Sequence, residues 1–222
     1  MDEIRIIDVR ADILSDNRDQ ADVIRRDLAA RKVFMLNMMA SPGAGKTSVI
    51  VQTLRRLRGR LRMAVIEGDV ETTVDSEKIQ AEGFPAVQIR TGGACHLDAP
   101  MVSAALEGLD LDGLDLVFIE NIGNLICPAE FDTGADLRVM ILSVPEGDDK
   151  VLKYPLMFSV CDALLVNKID YLDGSDFNLQ ALRRRAHELN PRIRIFEVSC
   201  KNGAGLEDWC DWLLEIVKQK LS

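Results

Sequence analysis

Apolar residues along this chain come in short, nearly continuous runs rather than in alternating patterns. Runs of this kind are typical of strands that are buried on both faces of a parallel sheet. The predicted strands are residues 33–39, 62–67, 86–90, 116–120, 137–144, 163–167 and 194–198.

Stretches with helical spacing of apolar residues occupy most of the intervals between these runs. Another such stretch, residues 17–32, precedes the first strand. Strands that alternate with helices predict an α/β fold of the P-loop NTPase kind, with a mainly parallel central sheet covered by helices on both faces. We predict one domain over residues 1–222, in which residues 1–32 form an N-terminal helical extension. The other predicted helices are residues 46–57, 74–82, 99–106, 178–189 and 206–220.

A glycine-rich segment, residues 41–48, joins the first strand to the helix 46–57. Glycines let backbone N–H groups surround phosphates, and the helix N-terminus adds positive potential. In a phosphate loop of this kind Lys46 bridges the β- and γ-phosphates, and the Thr47 hydroxyl lies on Mg²⁺. Ala40 stands where the consensus pattern has its first glycine, a departure of one residue. The predicted phosphate-binding residues are Gly43, Ala44, Gly45, Lys46, Thr47 and Ser48.

Acidic residues near strand ends are the predicted partners of Mg²⁺ and of the attacking water. Asp69 follows the second strand, and Asp75 comes six residues later, where helix capping is the alternative role. Glu120 ends the fourth strand in the place of the aspartate of an Asp-x-x-Gly switch, and Gly123 would give its N–H to the γ-phosphate. The predicted catalytic residues are Lys46, Asp69, Asp75 and Glu120, and the predicted magnesium ligands are Thr47, Asp69, Asp75 and Glu120.

The segment Asn167-Lys168-Ile169-Asp170 follows the sixth strand and predicts which base is bound. An Asp carboxylate accepts hydrogen bonds from N1 and the exocyclic amino group of guanine, whereas adenine offers no such donor pair. A second segment, residues 199–201, would contact the base, with Cys200 supplying a backbone N–H and its side chain serving as a small apolar group. The sequence therefore predicts binding of GTP and GDP. The predicted guanine-binding residues are Asn167, Lys168, Asp170, Ser199, Cys200 and Lys201.

Composition narrows the class of protein further. The chain has 222 residues, of which 47% are hydrophobic and 28% charged, as in ordinary globular domains. A formal net charge of −9 argues against nucleic acid as a partner. The sequence lacks the apolar run of roughly 18–20 residues that spans a bilayer, and its charged N-terminus does not resemble a secretion signal. Five cysteines without dense spacing favour free thiols, so we expect a cytoplasmic protein with no membrane partner.

Three further residues could bind a transition metal. Cys95 and His96 precede the helix 99–106, and Cys127 comes four residues after Gly123. Two thiols and an imidazole suit Ni²⁺ or Zn²⁺, but without a Cys-x-x-Cys pair the spacing alone favours ordinary small buried side chains. Three ligands leave a four-coordinate metal incomplete, and a two-fold dimer could supply the remainder. A conformational change at the switch residue Gly123 is expected to move the Cys127 thiol, because the two residues are only four positions apart.

Four segments together resemble the HypB family, the GTPases that help insert nickel into nickel–iron hydrogenase: residues 41–47, 92–99, 120–129 and 146–150. The resemblance implies a SIMIBI-class P-loop fold and a nucleotide-dependent homodimer that forms across the nucleotide face. It also implies a nickel or zinc site at that interface, on Cys95, His96 and Cys127. The implied partners are a HypA-type nickel chaperone and the precursor of the hydrogenase large subunit. We expect slow hydrolysis of GTP to GDP and phosphate, because no catalytic Gln or arginine finger is evident.

The chain departs from some HypB proteins in lacking a histidine-rich tract and any cysteine before Cys95. Nickel storage is therefore not expected, and the second of its two histidines, His187, is predicted to be a surface residue. Two alternatives stay open at this point. The client could be another nickel enzyme or a cobalamin enzyme, or the chain could be a zinc-stabilised nucleotide-binding dimer whose metal is only structural.

Overall fold

The computed structural model describes residues 9–70 and 74–221, with side chains from residue 14 onward. Its strands form one seven-stranded sheet in which every neighbouring pair is parallel. The strands are β1 (Phe34–Ala40), β2 (Met63–Asp69), β3 (Ala86–Arg90), β4 (Leu116–Glu120), β5 (Leu137–Ser143), β6 (Ala163–Asn167) and β7 (Arg194–Glu197). Their order across the sheet is β3-β2-β4-β1-β5-β6-β7.

Helices connect the strands and cover both faces of the sheet. They are α1 (Val9–Ala30), α2 (Lys46–Leu57), α3 (Val74–Ala81), α4 (Ala99–Leu106), α5 (Cys127–Glu130), α6 (Lys150–Lys153), α7 (Pro155–Val160), α8 (Leu179–Leu189) and α9 (Leu206–Leu221). Short 3₁₀ turns occur at Leu111–Gly113, Val144–Glu146 and Ile169–Tyr171.

Strand β1 shows why its sequence is apolar at every position but one. All seven of its residues are buried, because successive side chains point to opposite faces and each face is covered. Leu36 and Met38 pack in the core under α2 and α9, whereas Met35 packs in the core under α1 and α4. Met39 joins a third apolar cluster, under α7 and α8. The predicted parallel α/β fold is therefore confirmed.

The position of β1 also locates the binding edge of the sheet. β1 lies between β4 and β5 at the centre of the sheet. The strands on its two sides are reached by connections that run in opposite directions, so the crevice beyond the carboxyl end of β1 is a topological switch point. Since all seven strands are parallel, the segments after β1, β2, β4 and β6 emerge at the same edge. These are the segments that carry the predicted phosphate loop, acids, switch and base-reading motif.

The predicted start of the first helix at residue 17 is wrong, because α1 already begins at Val9. Asn17 lies inside the helix, and its side chain makes tertiary contacts: Nδ2 donates to the Asp132 carbonyl at 2.8 Å, and Oδ1 accepts from the Ala99 N–H at 2.8 Å. The helix ends at Ala30 rather than residue 32, and Lys32 adopts a left-handed conformation with φ 56°.

The seven predicted strands are confirmed to within two residues at each end. Helices α5, α6 and α7 were missed because each has only four to six residues, too few to show a helical period. Within residues 9–70 and 74–221, no helix combines the length and hydrophobicity needed to cross a membrane.

Candidate nucleotide and metal site

The phosphate loop between β1 and α2 depends on two glycines with positive φ. Gly43 has φ 77° and Gly45 has φ 101°, a region that side chains with a Cβ rarely adopt. The guanine-binding segment 167–170 contacts this loop through two hydrogen bonds. Asn167 Nδ2 donates to the Ala44 carbonyl at 2.9 Å, and Lys168 Nζ donates to the Gly43 carbonyl at 2.8 Å. A Cβ on Gly45 would lie 2.5 Å from Asn167 Nδ2, so the approach is too close for any other residue.

The start of α2 places Lys46 and Thr47 beside the loop, with Ser48 exposed next to them. Thr47 Oγ1 donates a hydrogen bond of 2.8 Å to Glu120 Oε1, at the end of β4. The switch glycine also lies against the loop, because a Cβ on Gly123 would come within 2.9 Å of Pro42 Cγ. The structure thus brings the predicted phosphate, magnesium and switch residues together.

A second buried carboxylate, Glu67, lies opposite Glu120 on the neighbouring strand. The two side chains are only 2% and 4% exposed, and burial raises the pKa of both, with Glu120 adding to the rise at Glu67. Glu67 Oε1 and Glu120 Oε2 are buried without a hydrogen-bond partner among the described residues. Buried acids with orphaned oxygens are costly unless a cation compensates them, so this pair fits a divalent cation.

Sequence reasoning missed Glu67, although its position held a signal. Glu67 directly follows the buried apolar residues 63–66 of β2, as Glu120 follows the apolar run of β4. An acid that ends a fully buried strand is placed at the same sheet edge as the phosphate loop. The sequence predicted a strand at residues 62–67, but Glu67 was not considered as a site residue.

Asp69 and Asp75 line the same cavity as the buried acids, a space of about 540 Å³ that Lys46 and Thr47 also border. Asp69 is the last residue of β2. Asp75 lies in the first turn of α3, which begins one residue earlier, so the predicted alternative of an N-cap is wrong. Its carboxylate contacts Lys78 Nζ at 2.7 Å.

The base pocket is a larger cavity of about 750 Å³ beyond β6. Ser199 Oγ donates to Asp170 Oδ1 at 2.5 Å, and this bond keeps the pKa of Asp170 below its ordinary value. Asp170 Oδ2 is buried without a hydrogen-bond partner among the described residues, 3.6 Å from Lys201 Nζ. An ionised carboxylate with one unused oxygen is the acceptor that a guanine edge requires. Cys200 lines the pocket and packs against the core, and burial raises the pKa of its thiol to about 11.

The metal cluster lies on the segments that follow β3 and β4, and Cys127 is the first residue of α5. Ligand atoms of Cys95, His96 and Cys127 all lie within 4.8 Å of one another, with the two Sγ atoms 3.1 Å apart and Cys95 Sγ 3.8 Å from His96 Nδ1. The His96 ring stacks on Phe131 with centroids 3.8 Å apart, and burial lowers its pKa, which favours the neutral imidazole that a metal requires. The interpretation of all three as buried side chains is wrong, since Cys95 is exposed. His187 is exposed on α8, as predicted.

The chain is similar to a known protein family and to solved structures. Residues 34–197 match the family described as "CobW/HypB/UreG, nucleotide-binding domain". The chain is 45% identical over 213 residues to the hydrogenase maturation factor HypB of Escherichia coli K12, covering 96% of this chain and 73% of that protein. The crystal structure of HypB from Helicobacter pylori in complex with nickel has a TM-score of 0.88 at 36% identity, covering 93% of this chain and 97% of that one. The structure of HypB from Archaeoglobus fulgidus has a TM-score of 0.86 at 37% identity, covering 92% of this chain and 100% of that one.

Proposed function

This chain belongs to the HypB family of hydrogenase maturation factors, and on that premise we propose that it is a GTP-hydrolysing chaperone that delivers nickel during maturation of nickel–iron hydrogenase. One observation carries the proposal. The Cys95, His96 and Cys127 cluster is built on the loops that flank the phosphate cavity, and Cys127 follows the switch residue Gly123 by four positions. A metal held there would sense the state of the nucleotide.

The reaction is the hydrolysis of GTP. A water oxygen bonds to the γ-phosphorus, the bond from that phosphorus to the β–γ bridging oxygen breaks, and GDP, phosphate and a proton leave. Lys46 neutralises the β- and γ-phosphates, and the Gly123 N–H binds the γ-phosphate. Asp69 and Asp75 line the cavity where they would orient the water.

Mg²⁺ would be held by Thr47 and Glu120, with Glu67, Asp69 and Asp75 in reach of its water ligands. When bound, it neutralises charge on the β- and γ-phosphates. The orphaned oxygens of Glu67 and Glu120 support this assignment. Turnover is expected to be slow, because no arginine of the described residues lines the phosphate cavity, and an arginine finger is worth about 10³–10⁵-fold.

Nickel is the cargo rather than a resident cofactor. Three ligands from one chain suit a site completed by the same residues of a second copy, so we expect a homodimer that forms in one nucleotide state. A HypA-type chaperone would exchange nickel with this site, and the precursor of the hydrogenase large subunit would receive it, in the cytoplasm.

The test is a titration of Ni²⁺ into the nucleotide-free, GDP-bound and GTP-analogue-bound protein while light scattering records the molar mass. We expect the nickel affinity to differ between nucleotide states, a dimer to form in one of them, and Cys127→Ala to lose binding. Equal nickel affinity in every state would refute the proposal that the nucleotide controls nickel release. The remaining interpretation would be the zinc-stabilised alternative, a GTPase whose metal is only structural.

The client is tested separately. Nickel-loaded protein is mixed with metal-free hydrogenase large subunit or with metal-free urease, and GTP is added. Nickel transfer to the hydrogenase subunit alone supports the proposed client, whereas transfer to urease alone would overturn it.

A further inference from the structure

One buried side chain, Asn121, joins the phosphate, switch and metal segments. It is fully buried at the carboxyl end of β4. Its Oδ1 accepts from the Leu97 N–H at 3.1 Å and from the Ile122 N–H at 2.9 Å. Its Nδ2 donates to Asn37 Oδ1 at 3.2 Å. A buried amide with this many partners holds its neighbours in one arrangement, since leaving any of them unpaired is costly.

The three partners belong to three different functional segments. Asn37 lies in β1, which leads into the phosphate loop. Ile122 directly precedes Gly123, the residue predicted to sense the γ-phosphate. Leu97 directly follows the candidate ligand His96. Because one oxygen accepts from both Ile122 and Leu97, movement of the switch alters the hydrogen bond that positions the metal loop, and hydrogen bonds weaken steeply with angle.

The Leu97 side chain makes a second connection to the nucleotide side. It is fully buried, and a Cβ added to Gly68 would lie 2.7 Å from Leu97 Cδ1. Gly68 lies between Glu67 and Asp69, both candidates for the magnesium site. The residue next to His96 therefore contacts the magnesium strand through packing and the switch through Asn121.

A parallel connection holds the thiol ligands. Asn124 Nδ2 donates to the Cys95 carbonyl at 3.1 Å, and Asn124 Oδ1 accepts from the Ile126 N–H at 2.9 Å. Ile126 directly precedes Cys127. The switch segment thus contacts the backbone beside each of the three candidate metal ligands.

We propose that Asn121 is the positioning residue that couples nucleotide state to nickel affinity, through its shared hydrogen bonds to Ile122 and Leu97. This inference rests on the proposed function and deepens it. Asn121 borders the phosphate cavity, but its side chain is fully buried and its hydrogen bonds go to Asn37, Leu97 and Ile122, so it acts through the two segments it joins. Its removal should leave both sites occupied but independent of each other.

The measured quantity is the ratio of nickel dissociation constants in the GDP-bound and GTP-analogue-bound states. Couplings of about 5–150-fold are typical of linked sites, and Asn121→Ala should bring the ratio to within about twofold of one. GDP affinity is measured for each variant as well, because Asn121 borders the phosphate cavity although not the base pocket, and the nickel ratio is compared at saturating nucleotide. A merely structural role would lower nickel affinity equally in both states and leave the ratio unchanged.

Two further variants keep the test decisive. Gly68→Ala leaves Asn121 intact but displaces the Leu97 side chain, so it too should bring the ratio toward one, and it decides the matter if Asn121→Ala does not fold. Asn178→Ala is the matched control, since this asparagine caps α8 by accepting from the Ala181 N–H at 2.8 Å, away from the metal loops. It should lower stability and leave the ratio at the wild-type value.

The outcomes separate the two proposals. A wild-type ratio of one refutes the proposed function itself. A wild-type ratio far from one that persists in Asn121→Ala, or in Gly68→Ala where Asn121→Ala does not fold, overturns the coupling role alone, and the nucleotide-gated donor stands.

Discussion

Replacing Asp170 by asparagine should change which base the protein binds. The substitution keeps the size of the side chain and removes its charge. Ser199 Oγ can still donate to the new amide oxygen, as it does to Asp170 Oδ1 at 2.5 Å. The other carboxylate oxygen, Oδ2, is replaced by an NH₂ donor. This donor would meet the amino group of guanine, which is also a donor, but it can donate to the carbonyl that xanthine carries at the same position.

The expected loss of GDP binding free energy has two contributions. A hydrogen bond to a charged acceptor contributes about 1.5–3 kcal/mol, and an unsatisfied buried donor costs about 1–3 kcal/mol more. The carboxylate of Asp170 is only 11% exposed, so solvent does little to relieve either term. A total of about 2.5–6 kcal/mol corresponds to a loss of about 10²–10⁴-fold in GDP affinity.

Fluorescent analogues of GDP and XDP, titrated into wild type and Asp170→Asn, measure both affinities. We expect GDP to weaken and XDP to become the tighter ligand in the variant. Asp173→Asn is the control, because that exposed carboxylate lies three residues along and makes the same change in charge. If Asp170→Asn binds GDP within about threefold of wild type, the guanine assignment of this pocket is wrong.

Three other substitutions test the remaining sites. Glu67→Gln should speed GDP release about tenfold in Mg²⁺ and leave it unchanged in EDTA, followed by stopped flow; equal rates in Mg²⁺ would remove Glu67 from the magnesium site. His96→Ala should weaken nickel binding more than about 100-fold relative to His187→Ala in competition with a coloured chelator, because even outer-sphere partners are worth about 10–100-fold. Asp132→Asn should lower the free energy of unfolding in urea by about 1–3 kcal/mol at pH 7, since the carboxylate accepts from Arg25. Burial opposes its ionisation, but the hydrogen bond from Arg25 leaves its pKa below the ordinary value. A group with a depressed pKa stabilises the fold above its unfolded pKa and loses that contribution as the pH falls through the folded one, so the two proteins should converge in strong acid; a constant difference would contradict this.

The sheet and the nucleotide residues could be predicted because their signals are local. A buried parallel strand is a continuous apolar run, and the phosphate loop and the Asn167–Asp170 segment are contiguous motifs at strand ends. Helix α2 was predicted with its observed bounds, since the glycines before Lys46 mark its start. These features depend on neighbours in sequence and on little else.

Features set by strand order could not be predicted in the same way. The pairing of Glu67 with Glu120 depends on β2 and β4 being adjacent in register, which neither segment encodes alone. Cys95 and Cys127 are 32 residues apart and meet only because their loops leave the same edge of the sheet. The start of α1 was predicted too late because the apolar spacing that indicated the helix begins only at Ala21, and Asn17 is bound to groups far along the chain.

The contact between Gly45 and Asn167 links the guanine-binding motif to the conformation of the phosphate loop. Asn167 belongs to the base-reading motif, yet its amide holds the Ala44 carbonyl and fills the space that a Cβ on Gly45 would need. A substitution in either motif is therefore expected to disturb the other. Any redesign of base preference has to be confined to Asp170 and the residues beyond it, because altering Asn167 would reshape the loop that every nucleotide shares.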